Sequence, residues 1–160
     1  MELSLPRPSL AAAIATWIAL GLLALAVMAS CIALLPLSEL AATEAPEFEH
    51  LRIPLLALSL ACGFCVEVIL ASTAVLVGFI RQDHIFDLDA ARVVNLLIVS
   101  VVVATALAGT TLAFIPGPPL LALAVVASVL VGVTLVLVLV VLKSLLQRAV
   151  VMRTELDEVA

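Results

Sequence analysis

Few side chains in this sequence could do chemistry, and the most conspicuous is Glu67. It is a lone carboxylate inside an apolar run that extends from residue 53 to 80. A charge near the centre of a bilayer costs about 2.5–3.5 kcal/mol on insertion scales. No Lys or Arg lies at comparable depth in any apolar run. Two roles are therefore open. A protonated Glu67 would donate a hydrogen bond to a neighbour such as Thr105 or to a backbone carbonyl. A Glu67 lining a wet cavity would belong to a proton or cation path. Cys31, Cys62 and Cys65 also lie inside apolar runs, where a thiol commonly serves as a small packing group. Cys62 and Cys65 form a C-x-x-C, but within a helix and without a second ligand pair, so neither zinc nor redox chemistry is expected of them.

The remaining polar chemistry sits between and after the apolar runs. Residues 36–52 carry Glu39, Glu44, Glu47, Glu49 and His50. Their spacing matches no metal-ligand motif, and they read as a solvated acidic loop. Residues 81–92 carry Arg81, Asp83, His84, Phe86, Asp87, Asp89 and Arg92. Asp87 reads as a helix N-cap and Asp89 as a favourable charge in the first turn. The Asp-x-Asp spacing is not that of a calcium loop. Residues 143–160 form a charged tail with Arg148, Arg153, Glu155 and Asp157. In it Leu142, Leu145, Leu146, Ala149, Val150 and Leu156 keep a helical spacing, so the tail suits docking on a partner, lying in the interface, or running out into solvent with its stripe packed against the loop between the second and third spans.

Absent motifs narrow the classes further. There is no glycine-rich phosphate loop, no H-E-x-x-H and no G-x-S-x-G. No nucleophile is paired with a base, so an enzyme is not expected, nor a cofactor or a metal site. The net charge of −5 and the lack of a basic patch or aromatic groove argue against direct nucleic-acid binding.

The elements that must position these residues are four spans. Of 160 residues, 66% are hydrophobic and 12% charged, an excess that only lipid can solvate. A helix needs about 20 residues to cross a hydrocarbon core of about 30 Å. Spans are expected over about 10–35, 53–80, 93–115 and 120–142, in one domain, with Ser9 as the first N-cap and a type II turn at Pro116-Gly117. The first run is longer than the ~7–15 apolar residues of a cleaved signal, so it reads as a retained span. Small residues recur along three faces. They are Ser59, Gly63, Glu67, Ala71, Ala74 and Gly78 in the second span; Ser100, Ala104, Ala108 and Thr111 in the third; and Ala124, Ser128 and Gly132 in the fourth. Such stripes let helices approach closely, within one bundle or between copies in a homo-oligomer. The expected fold is an all-α, integral membrane four-helix bundle. Arg7, Arg81, Arg92, Lys143, Arg148 and Arg153 fall at one end and only Arg52 at the other. The positive-inside rule then places both termini in the cytoplasm.

Several stretches resemble a known family. Val66-Glu67-Val68, the run Val77-Gly78-Phe79-Ile80-Arg81-Gln82-Asp83-His84-Ile85-Phe86, and Ala91-Arg92-Val93-Val94 look like the signature of a bacterial four-span family of unknown function, domain of unknown function 2975. The tail, through Leu145-Leu146-Gln147-Arg148-Ala149 and Met152-Arg153-Thr154-Glu155-Leu156-Asp157-Glu158-Val159, resembles its actinobacterial branch. The likeness extends over nearly the whole chain. Gln82 and His84 stand where relatives often carry more basic residues. The resemblance implies a protein of the bacterial cytoplasmic membrane, often encoded beside a small Cro-type helix-turn-helix regulator, and it implies no activity. The functional expectation is a regulatory or sensory membrane partner of a cytoplasmic protein. The alternative is an oligomeric small transporter or channel subunit using Glu67.

Overall fold

In lipid every backbone polar group must be satisfied within its own segment, so Val-rich runs that would favour strands in water form helices instead. The computed structural model describes residues 10–44, 46–81, 88–114 and 119–160. It contains helix α1 (Leu10–Glu44), a single 3₁₀ turn (Pro46–Phe48), α2 (Glu49–Arg81), α3 (Leu88–Phe114) and α4 (Pro119–Val159). All four helices are long and apolar enough to cross a membrane. The expected caps at Ser9 and Asp87 and the turn at Pro116-Gly117 lie outside the described residues, as do Asp83 and Phe86.

The helices pack in chain order, α1 on α2, α2 on α3, and α3 on α4. Among the described residues α1 and α4 do not pack on each other, so the bundle is open along one side. The buried residues, Ser72, Ala90, Leu97, Ser100 and Val101, all belong to the central α2–α3 pair. The outer helices attach differently. On α1 the half-buried positions are Ala13, Leu20, Ala24, Val27, Cys31, Leu34, Ser38 and Ala42. On α4 they are Ala122, Val125, Val129, Gly132, Val136, Leu139, Lys143, Leu146 and Val150. From Leu20 onward in α1, and throughout α4, steps of three and four alternate almost without exception. That is the 3.5-residue seam of left-handed helix pairs, so each outer helix is held along a single line.

Two expectations change. The acidic loop over residues 36–52 is mostly helix, because α1 continues through Pro36 to Glu44. Pro36 lies on the exposed face, and Ser38 and Ala42 carry the seam on beyond it. Arg52 then ties the extension to α2, its Nε donating to Ser38 Oγ at 3.3 Å and its Nη2 lying 3.4 Å from Glu39 Oε1. These contacts offset the one backbone hydrogen bond that the proline removes. The expected stripe of α4 is also displaced. Ala124 and Ser128 are exposed, and only Gly132 of that set enters the helix contact. A strict four-residue stripe drifts off a 3.5-residue seam within two turns. The α3 stripe faces inward throughout, and that of α2 does so except at Ala71.

Candidate functional site

Glu67 occupies the middle of α2 and is half-buried. Its Oε1 is shielded from solvent and has no hydrogen-bond partner. The expected partner, Thr105, is turned elsewhere. Its hydroxyl donates to the Val101 carbonyl at 2.7 Å, and its side chain lies against Gly132 of α4. Leaving one carboxyl oxygen buried without a partner costs about 1–3 kcal/mol.

The other candidates gather at the basic end of the bundle, where α2 ends, α3 begins and α4 runs past both. Arg81 is exposed in the last turn of α2, where a cation complements the helix dipole. Asp89 and Arg92 are joined to each other, with Arg92 Nη1 donating to Asp89 Oδ1 at 3.1 Å across one turn of α3. Both side chains stay well exposed, so this pair contributes little to stability. Lys143 Nζ donates to Asn95 Oδ1 at 3.0 Å and ties α4 to α3 at the edge of the apolar region. In the sequence Lys143 counts only toward orientation and nothing pairs it with Asn95, although a lone lysine ending an apolar run and an asparagine near the start of another are the signal.

The contacts of Gly109 with Val129, Gly132 with Thr105 and Lys143 with Asn95 set the α3–α4 register. They place Val150 level with Leu88, the first residue of α3. Residues 151–159 therefore project about 14 Å beyond α3. Arg148, Arg153, Glu155 and Asp157 are all exposed on this projection and its root. The apolar set expected in the tail divides between two faces. Leu146 and Val150 continue the seam on α3, whereas Leu142, Leu145, Ala149 and Leu156 are exposed and align with Met152 and Val159. From Leu145 onward these exposed residues are again spaced four and three apart, forming a second 3.5-residue seam that no described residue covers. Leu156 is 71% exposed and Val159 88%.

Among the described residues no three His, Cys, Asp or Glu side chains are arranged to hold a metal ion. Four apolar helices in an open bundle, with a carboxylate at mid-depth and a helical projection at one end, define a multi-pass α-helical membrane protein. A family profile described as "Protein of unknown function (DUF2975)" matches residues 36–160. The chain belongs to that family. The match begins at Pro36, within α1, and takes in every stretch on which the resemblance rests; the part of α1 before Pro36 lies outside it. No curated protein and no solved structure matches the chain.

Proposed function

We propose that this protein is a regulatory or sensory partner of a cytoplasmic protein, held in the bacterial cell membrane with both termini in the cytoplasm, and that the projecting end of α4 is its docking helix. It has no catalytic role and does not contact nucleic acid itself. The observation that carries this reading is the seam of Leu145, Ala149, Met152, Leu156 and Val159, left uncovered by the described residues on a helix continuous with a span. An unfilled 3.5-residue seam is the surface onto which a second amphipathic helix packs. Arg148, Arg153 and Glu155 border it. Two copies of this tail in parallel would bring Arg148 of one against Arg153 of the other, which disfavours self-pairing and favours a different partner. A helix-turn-helix regulator suits this role. Arg81, Asp89 and Arg92 offer it a second contact at the same end. The test is co-purification of a soluble protein with the full chain in mild detergent. Met152→Asp with Leu156→Asp should abolish the complex while the helix content stays unchanged, as should ending the chain at Lys143. A complex that survives either change refutes this docking site.

A second reading rests on the unpartnered Oε1 of Glu67. Here the protein is an oligomeric transporter or channel subunit in which Glu67 takes and releases a proton. It predicts proton or cation flux into liposomes that Glu67→Gln eliminates. Absent or unchanged flux counts against it.

A further inference from the structure

The gap between α1 and α4 is a cleft of about 590 Å³ floored by α2 and α3. That volume lies within the range of small-ligand sites. Its lining is largely apolar, and each of its four hydroxyls is already committed. Ser30, Ser59, Thr111 and Ser128 donate to the carbonyls of Ala26, Leu55, Leu107 and Ala124 on their own helices at 2.8–2.9 Å. A ligand lying here therefore meets methyl and methylene groups, the weakly polar thiols of Cys31 and Cys62, and no free hydroxyl. Along α1 the lining runs from Leu23 to Leu34. The eleven steps between them rise about 16 Å, about half of a ~30 Å hydrocarbon core and hence the depth of one leaflet.

Above the cleft stands a cation. Arg52, Ser59 and Val66 follow one another at seven-residue intervals, so they share one face of α2, and the latter two line the cleft. Arg52 is six residues, or about 9 Å, beyond Leu58, the outermost cleft residue on α2. That height is the headgroup zone. Arg52 is the only Lys or Arg between Arg7 and Arg81. Its Nε and Nη2 are used by Ser38 and Glu39, while Nη1 has no partner among the described residues. A guanidinium with an unused donor edge matches a phosphate oxygen.

We propose that the cleft is a phospholipid site, with one acyl chain between α1 and α4 and the phosphate on Arg52 Nη1. The site is independent of the tail and of any partner docked there. The test uses the full chain in nanodiscs containing equal amounts of phosphatidylglycerol and galactosyldiacylglycerol with the same acyl chains. The protein is released into mild detergent and its retained lipids are weighed by native mass spectrometry. The wild type should keep one lipid per chain, enriched roughly tenfold in phosphatidylglycerol, the ratio expected of one charge-assisted hydrogen bond. Ala26→Trp and Ser128→Trp, which fill the cleft, should lose that lipid, whereas Leu25→Trp on the outward face should keep it. Arg52→Gln should retain a lipid but lose the phosphate preference, a readout that survives if a filled variant does not fold. Four results would overturn the site: no retained lipid in the wild type, a second protein chain in its place, equal retention by the folded Trp variants, or an unchanged preference in Arg52→Gln.

Discussion

Gly63 and Gly132 mark two close helix approaches, and they differ in what a methyl group would strike. At Gly63 the obstacle is the Sγ of Cys31 alone, the end of a side chain with one free torsion. At Gly132 it is Thr105, whose Oγ1, Cγ2 and Cβ all crowd the position, the last two at 3.0 and 3.1 Å. A β-branched residue cannot turn its own Cβ away. Gly132→Ala should therefore destabilise the protein by ~1–3 kcal/mol, as overpacking does, and Gly63→Ala by clearly less. Unfolding in mixed micelles compares the two. Thr105→Ala, which removes Oγ1 and Cγ2 but keeps Cβ, should partly rescue Gly132→Ala in a double-mutant cycle, and equal penalties at the two glycines would contradict this packing. Thr105 also shows where sequence reasoning at this scale stops. Its depth made it a fitting partner for Glu67, but depth says nothing of azimuth. Half a turn of α3 separates a residue that meets α2 from one that meets α4.

At the scale of the helix, four spans were legible because apolar runs of that length have no other stable form in lipid. Their ends were less so. Pro36 and a cluster of four glutamates read as a loop, and the helix runs through the proline because Ser38, Glu39 and Ala42 meet α2 and Arg52 there. That support is tertiary and leaves no local trace. The tail is the reverse case. Its helical spacing was visible, yet two seams a fraction of a turn apart were merged into one stripe. Only the register against α3 separates Leu146 and Val150, which are covered, from Leu145 and Leu156, which are not.

For the whole molecule, the central hairpin of α2 and α3 holds all the residues described as buried, and each outer helix hangs from it by one line of contact. Local stability follows contact, so the outer helices belong to the weaker end of the scale. Drawn from the N-terminus by a single-molecule probe in a bilayer, α1 should leave as a separate low-force event before α2 and α3 come out together at higher force. A single cooperative rupture of all four helices would contradict the hierarchy. The seam of α4 has one more consequence. A straight α-helix drifts about 20° per heptad against a 3.5-residue line. The α4 seam runs unbroken from Ala122 to Val150, four heptads, so α4 must wind by roughly 80° around α3 before its tip leaves the bundle. The compass bearing of Met152 and Leu156 is thus set by the pitch of the coil inside the membrane. A bilayer that tightened or relaxed that pitch would swing the tip like the hand of a dial, without shifting α4 along its axis.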